Sequence, residues 1–150
     1  MTRVTLFTDG SYKEEKKMGG YAGVMVAGKH SQVIYGNVKE KATNNRMEIQ
    51  AVVRTVSQLN QPCLVHLVSD SQYVLNGIDK WMDDWKENGW KNSKGAPVEN
   101  QDLWKKLDVE LSKHKVTTQW VKGHQRKRSF TVKGNNLADY FAQAAAREKV

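Results

Sequence analysis

The chain has 150 residues, of which 39% are hydrophobic and 27% charged, and it carries a net charge of +8. This length suits one compact domain with its own core, and the composition is typical of a globular protein rather than a disordered one. A single cysteine, Cys63, excludes an internal disulfide and a cysteine-rich zinc site.

The basic charge favours an anionic partner, and nucleic acid is the default candidate. A lysine-rich, solvated surface is the alternative. No apolar run is long enough for a membrane span, and the N-terminal residues lack the apolar segment of a secretory signal. We therefore expect a reduced, cytoplasmic setting without membrane association or a disulfide-linked partner.

The first third of the chain predicts three strands. They are RVTLF (residues 3–7), GGYAGVMVAG (residues 19–28) and SQVIYGNVK (residues 31–39). Glycines between the apolar runs mark turns, so these strands are expected to form an antiparallel meander.

The hydrophobic period then changes to that of a helix over residues 44–59. The residues that repeat at this spacing are Ile49, Val52, Val53, Val56 and Leu59. Asn60 and Pro62 end the helix. The short apolar run CLVHLVS, residues 63–69, predicts a fourth strand that is buried on both faces.

Helices and one strand fill the rest of the chain. Helices are predicted over residues 70–78, 100–114 and 135–150, and a fifth strand over residues 116–121. Trp81 and Trp85, four apart, share a helix face. The order predicts an α/β fold with a mixed five-stranded sheet, three antiparallel strands first and then two parallel ones, flanked by helices. We expect one domain over residues 1–150.

Four acids are candidates for a functional site, although each has an ordinary structural explanation. Asp9 precedes a glycine in a common turn pair, and Glu48 lies in the first turn of a helix, where it could cap with Asn45. Asp70 could be a helix N-cap, and Asp139 lies near the start of the predicted last helix.

The positions of Asp9 and Asp70 weaken those separate explanations, because each follows a predicted strand. Ligand sites of open α/β sheets lie beyond strand ends, so neighbouring strands would bring these carboxylates together. Clustered carboxylates repel each other unless a cation balances them. Their oxygens suit Mg²⁺ or Mn²⁺, and two such ions can support phosphodiester hydrolysis.

Five ordered motifs then identify a family. They are FTDGS, TNNRMEI, VSDSQYV, WVKGH and GNNLAD, and their spacing resembles that of type 1 ribonuclease H along essentially the whole chain. The resemblance implies the ribonuclease H-like fold and an endonuclease that hydrolyses the RNA strand of RNA–DNA hybrids. It further implies two Mg²⁺ ions, with Mn²⁺ as a substitute, 5′-phosphate and 3′-hydroxyl products, little sequence preference, and a monomer.

Matched residue by residue, the family's four metal-binding acids fall on Asp9, Glu48, Asp70 and Asp139, and its catalytic histidine on His124. The implied substrate contacts flank these acids. They are Gly10, Ser11, Thr43, Asn44, Asn45, Gln72 and Trp81. The polar side chains among them suit 2′-hydroxyls and minor-groove edges, and Trp81 suits stacking on the DNA strand. Capping, turn formation and a solvated loop histidine are the structural alternatives.

The chain departs from its relatives in two contact regions. After Asp9, the loop SYKEEKKMGG offers Lys16 and Lys17 as phosphate partners in place of the usual asparagine. The segment of residues 81–97, basic in bacterial relatives, contains three acids and should bind phosphate less well. Four other tryptophans are expected in packing roles: Trp85, Trp90, Trp104 and Trp120.

A basic insertion, residues 125–134, follows His124. We hypothesise that phosphate binding has partly moved to Arg126, Lys127 and Arg128. A solvated surface loop is the alternative.

Three other interpretations use the same fold or surface. A recombinase or integrase core would cut DNA, and an inactive hybrid-binding module would bind without turnover. The C-terminal domain of a reverse transcriptase is the third. The motifs TNNRMEI and WVKGH favour hybrid cleavage, and the starting Met just before the first strand favours a free-standing enzyme.

Overall fold

The computed structural model of the chain describes residues 1–149. Its strands are β1 (Thr2–Lys13), β2 (Met18–Ala27), β3 (His30–Val38), β4 (Cys63–Ser69) and β5 (Lys115–Trp120). Its helices are α1 (Asn44–Val56), α2 (Gln72–Asn76), α3 (Met82–Glu87), α4 (Gln101–Leu111) and α5 (Phe130–Ala146). A π-helical turn, Gly77–Trp81, joins α2 to α3.

The strands form one sheet in the order β3-β2-β1-β4-β5. β1 pairs antiparallel with β2 and parallel with β4, and β4 pairs parallel with β5. The predicted fold class is thereby confirmed. The β1–β4 pairing ends at Phe7 opposite Val68, whereas β1 continues beside β2 as far as Lys13. Asp9, on β1, consequently lies beside the residues that follow β4. Asp70 is the first of these residues.

The two faces of the sheet are covered by different helices, as the alternation of side chains along a strand requires. Leu6 and Leu67 face a core shared with α1 and α4, which includes the fully buried Trp104. Phe7 and Val68 face the opposite side, where α5 packs. The sheet edge that bears the acids is therefore held between helices on both faces.

Several element boundaries differ from the sequence prediction. β1 extends to Lys13 because β2 pairs with it to the end. α5 begins at Phe130 rather than at residue 135, since Ser129 caps it by accepting a hydrogen bond from the Val132 amide. Asp139 thus lies in the middle of this helix, and residues 130–134 of the predicted insertion are helical.

Two predicted caps are also replaced by neighbours. Ser71, not Asp70, caps α2 by accepting from the Val74 amide. Thr43 caps α1 by accepting from the Arg46 amide, so Asn45 is not the capping residue. Both changes leave the acidic side chains free of helix capping.

The predicted packing role is confirmed for three tryptophans and is wrong for Trp120. Trp104 is buried, and Trp85 and Trp90 pack against the same core. Trp120 is 49% exposed because it ends an edge strand, and its indole N–H donates to the backbone oxygen of Asp70 at 3.2 Å. It fastens the end of β5 to the turn after β4.

Among the helices of residues 1–149, none combines the length and apolar character that crossing a bilayer demands.

Candidate active site

Three carboxylates meet at the point where β4 ends beside β1, which continues past it. Asp9 comes from β1, Glu48 from α1 and Asp70 from the residue after β4. One oxygen of each lies within 4.8 Å of the others. The prediction that distant parts of the chain bring these acids together is confirmed for this group of three, which we call the carboxylate centre.

Gly10 brings α1 close enough for Glu48 to reach the centre. A Cβ atom at this position would overlap the backbone of Met47 and Glu48, so a side chain there would push the helix from the strand. The Gly10 amide donates to Oε1 of Glu48 at 2.9 Å. The strand therefore fixes both the approach of α1 and the orientation of this carboxylate.

Burial and mutual repulsion raise the pKa values of the three acids. Asp9 is 4% exposed, and its burial together with the charges of Glu48 and Asp70 raises its pKa to about 11. Burial and the charge of Asp70 raise the pKa of Glu48 to about 8. Burial also raises the pKa of Asp70, an effect that hydrogen bonding to Asn135 opposes. Without a cation the centre therefore retains protons near neutral pH.

A divalent cation fits this donor set. The centre offers only carboxylate oxygens, which hard cations such as Mg²⁺ and Mn²⁺ prefer, at a spacing that one ion could bridge. A bound cation would replace the retained protons and remove the repulsion that raises the three pKa values.

Asp139 lies beside the carboxylate centre, on α5, and contributes to the raised pKa of Asp9. It is not within the 4.8 Å group formed by the other three acids. Its two oxygens accept hydrogen bonds from Nε2 of Gln143, each at 3.1 Å. The fourth acid is thus adjacent to the centre, beside Asp9, and is oriented by Gln143.

His124 approaches Asp139 from the loop that follows β5. Its Nδ1 lies 3.9 Å from Oδ2 of Asp139, and the ring is 78% exposed. The backbone at His124 is left-handed, with φ of 56°, which is uncommon for a residue other than glycine. Gly123 lies close to Asp70, since a Cβ there would be 2.9 Å from Oδ2. The loop therefore brings a solvated imidazole to the edge of the acids.

Sequence reasoning missed Asn135 and Gln143. Asn135 is 1% exposed, and its Nδ2 donates to Oδ2 of Asp70 at 3.2 Å. Its Oδ1 is buried without a hydrogen-bond partner among the described residues. Both amides lie four residues from Asp139 on the same face of α5, and this spacing was the available signal.

The predicted amide contacts lie at two helix starts. Asn44 and Asn45 are exposed in the first turn of α1, and Gln72 is exposed in the first turn of α2. Thr43 is exposed but engages Arg46 as the α1 cap. Ser11, by contrast, is 8% exposed.

Trp81 is 37% exposed, with its ring centroid 6.1 Å from that of Tyr73. One side of the indole is thus packed and another is open to a ligand.

The basic segment, defined here as residues 121–129, contains neither helix nor strand, and Arg126, Lys127 and Arg128 are exposed in it. It is fastened to α5 because Asn136 donates to the backbone oxygen of Gln125 at 2.8 Å. These three cations therefore lie on a tethered loop immediately after His124.

Lys16 is engaged elsewhere. Its Nζ donates to the backbone oxygen of Arg147 at 3.0 Å, beyond the last turn of α5. This contact joins the β1–β2 turn to the end of the helix.

Comparison with known proteins identifies the family. The RNase H family model matches residues 1–147. A ribonuclease H of Haemophilus influenzae is 43% identical over 96% of this chain and 90% of that protein. A ribonuclease H of Cupriavidus metallidurans is 41% identical over 95% of this chain and 94% of that protein.

Solved structures support the same family assignment. A type 1 RNase H with the type 2 active-site motif has a TM-score of 0.83 and 25% identity, covering 100% of this chain and 74% of that one. The PFV RNase H domain has a TM-score of 0.77 and 29% identity, covering 99% of this chain and 96% of that one. The chain therefore belongs to the ribonuclease H family of metal-dependent endonucleases, which cleave the RNA strand of RNA–DNA hybrids.

Proposed function

We propose that the chain hydrolyses the RNA strand of RNA–DNA hybrids at the carboxylate centre, using two Mg²⁺ ions for which Mn²⁺ can substitute. The observation that carries this proposal is the approach of Asp9, Glu48 and Asp70 within 4.8 Å of one another at the sheet edge. Their repulsion makes a cation-free site unfavourable, and phosphate oxygens are natural further ligands of such a cation.

All four acids take part in cation binding. Asp9, Glu48 and Asp70 bind cations at the centre, and Asp139 completes a second site beside it. When bound, the cations favour ionisation of the attacking water and balance charge on the departing 3′ oxygen. The Gly10 amide keeps Glu48 directed at the site throughout.

His124 is proposed to move protons at the edge of this site. It is solvated and lies 3.9 Å from Asp139, so it can exchange protons with bulk water while remaining next to the acids. Imidazole is suited to this role because one ring nitrogen can accept a proton while the other donates one. The products are a 5′-phosphate and a 3′-hydroxyl.

Substrate recognition is proposed to depend on the sugar–phosphate backbone. Thr43, Asn44, Asn45 and Gln72 offer exposed polar groups to 2′-hydroxyls and minor-groove edges. Contacts of this kind recognise RNA without reading its sequence.

Six further residues complete the proposed binding surface. Trp81 packs against the DNA strand, and Arg126, Lys127 and Arg128 bind phosphates. Gly10 and Ser11 contact the substrate beside Asp9. Ser11 does so through backbone groups, since its side chain has little exposed surface.

Residues 1–150 are proposed to form one catalytic domain that acts as a monomer in the cytoplasm. Cys63 is buried, which suits a chain without a disulfide-linked partner.

The first experiment is cleavage of a labelled hybrid by the purified chain with Mg²⁺ and with EDTA. We expect Asp70→Asn to lower the cleavage rate by at least about 10²–10³-fold, the range for removing one electrostatic interaction with a transition state. Hybrid binding should survive. Asp83→Asn is the matched control, because Asp83 is exposed on α3.

Three outcomes would contradict the proposal. Robust Mg²⁺-dependent cleavage by Asp70→Asn would remove Asp70 from the set of essential ligands. Equal cleavage of matched duplex DNA would favour a DNA nuclease on this fold, and binding without turnover would favour an inactive hybrid-binding module.

A further inference from the structure

The two oxygens of Asp139 are held by one neutral side chain. Nε2 of Gln143 lies 3.1 Å from both Oδ1 and Oδ2, one helical turn after the acid. Because an amide N–H₂ group offers two donors, it can satisfy a carboxylate without bringing a positive charge to it. Gln143 therefore holds Asp139 without supplying a positive counter-charge.

Lys13 determines which way this amide faces. Its Nζ lies 3.2 Å from Oε1 of Gln143. An ammonium group only donates and an ionised carboxylate only accepts, so the oxygen of the amide must face Lys13 and its nitrogen must face Asp139. The three residues form a directed chain from the last residue of β1 to the middle of α5.

This chain also links two of the acids through the fold. β1 carries both Asp9 and Lys13, while α5 carries both Asp139 and Gln143. The contact between Lys13 and Gln143 therefore ties the strand that bears one carboxylate to the helix that bears the other.

Asn135, one helical turn before Asp139, contacts another of the acids, Asp70. Its amide donates to Oδ2 of Asp70 at 3.2 Å from a fully buried position. Residues 135, 139 and 143 are spaced four apart, so one face of α5 presents an acid between two amides.

We propose that Gln143 is a positioning residue for Asp139, with Lys13 fixing the orientation of its amide. The pair holds the Asp139 side chain next to the centre in a preset orientation, so that the second cation binds without first ordering its ligand. This inference rests on the proposed role of Asp139 as a cation ligand. A helix-stabilising pair without any effect on cation binding is the competing explanation.

The test compares Gln143→Leu with the unchanged chain. We expect the Mg²⁺ concentration for half-maximal hybrid cleavage to rise about 10–100-fold, the usual cost of removing a group that orients a metal ligand. The KM for hybrid at saturating Mg²⁺ should stay within about twofold, because substrate contacts lie elsewhere.

Lys13→Met is the second variant, and it leaves α5 intact. It should shift the Mg²⁺ dependence in the same direction by a smaller factor, since the amide keeps its donors but is no longer fixed in orientation. Gln58→Leu is the matched control for a Gln→Leu change, because Gln58 is exposed and lies after α1. It should match the unchanged chain.

A readout without substrate separates cation binding from turnover. Mg²⁺ is titrated into the substrate-free protein while the backbone amide resonances of residues 137–143 are followed. Gln143→Leu should need a higher Mg²⁺ concentration for the same shifts, whereas a purely helix-stabilising role would leave that concentration unchanged.

Asp139→Asn distinguishes failure of this inference from failure of the proposed function. If Asp139→Asn raises the Mg²⁺ requirement and Gln143→Leu does not, the positioning role is wrong and the ligand role stands. If Asp139→Asn leaves the Mg²⁺ requirement unchanged, Asp139 is not a ligand, so its ligand role and the positioning role of Gln143 both fail, whereas cleavage at the carboxylate centre stands.

Discussion

The carboxylate centre and the basic segment are neighbours in the fold, but their functional side chains are held in different ways. Two acids at the centre are oriented by specific donors: Gly10 holds Glu48, and Asn135 holds Asp70. The basic segment is tethered through Gln125, while Arg126, Lys127 and Arg128 make no salt bridge with the rest of residues 1–149.

This difference matches the two tasks. Catalysis needs reacting groups within fractions of an ångström of their working positions, which rigid backbone and buried hydrogen bonds provide. Binding a polyanion of any sequence needs positive charges that can adjust to the positions of the phosphates. Exposed basic side chains on a loop provide such charges. The comparison predicts that substitutions at the centre affect turnover and stability, whereas those in the basic segment affect binding and its salt dependence.

The largest combined effect on stability and turnover is expected where backbone packing itself places a carboxylate. Gly10→Ala puts a methyl group into the backbone of Met47 and Glu48, so α1 must shift and Glu48 must leave its position. We expect a decrease of about 1–3 kcal/mol in the free energy of unfolding, the usual cost of overpacking. Cleavage should fall at least about tenfold, since small misplacements of catalytic groups are costly. Urea unfolding and initial cleavage rates measure both.

Gly28→Ala is the control for that substitution. Its new methyl group meets nothing within 4 Å, although the backbone there is left-handed with φ of 61°. This control should lose some stability and cleave normally. An undiminished cleavage rate in Gly10→Ala would contradict the structural role assigned to the glycine.

The second prediction uses pH to probe the acids. The folded chain keeps protons at Asp9 and Glu48 up to pH values near 11 and 8, whereas the unfolded chain releases them near 4. Because the folded state binds more protons across this range, the free energy of unfolding without metal should fall as pH rises from about 5 to 8. The slope is at most about 1.4 kcal/mol per pH unit for each proton.

Urea unfolding in EDTA at several pH values measures this slope. Asp9→Asn should reduce the slope of the free energy of unfolding against pH. Saturating Mg²⁺ should raise the free energy of unfolding most at the higher pH, because the acids there release their protons most easily. Neutralising the basic segment should leave the slope unchanged. A pH-independent stability in the unchanged chain would argue against a strained carboxylate centre.

The third prediction, with the smallest effect on turnover, concerns the basic segment. Combined Arg126→Ala, Lys127→Ala and Arg128→Ala substitutions should lower the slope of log Kd against log salt by about one for each phosphate that the protein no longer binds. The cleavage rate at saturating hybrid should change little. Binding at several salt concentrations measures the slope.

Lys91→Ala combined with Lys94→Ala is the matched control, because these exposed lysines lie in the acid-containing region of residues 81–97. It should change the slope less per residue than the basic segment does. If the triple variant keeps the original slope, the basic segment does not bind phosphate.

The fold was largely predictable because its signals are local. Alternating and helical periods predicted the order of elements. The predicted strand ends before Asp9 and Asp70 indicated that these acids meet, although β1 continues past Asp9. The early start of α5 had a local signal in Ser129, a typical N-cap residue, but the basic residues beside it favoured a loop. The contact between Phe130 and Phe7, whose ring centroids are 5.3 Å apart, was not predictable. No local pattern reports such a contact.

Asn135 and Gln143 escaped prediction for a related reason. Amides are common on helix surfaces, and only the position of Asp139 between them distinguishes these two. Trp120 was misjudged because its apolar size favours burial, whereas its position at the end of an edge strand leaves it exposed.

The π-helical turn at Gly77–Trp81 sets the direction in which the next helix presents its aromatic side chains. A π-helical turn accommodates an extra residue, and one residue corresponds to about 100° around a helix axis. Removing a single residue such as Lys80 would rotate α3 by roughly that angle and turn Trp85 away from Trp104, 5.4 Å from it at present. A one-residue deletion here would consequently separate Trp85 from Trp104 without altering either side chain.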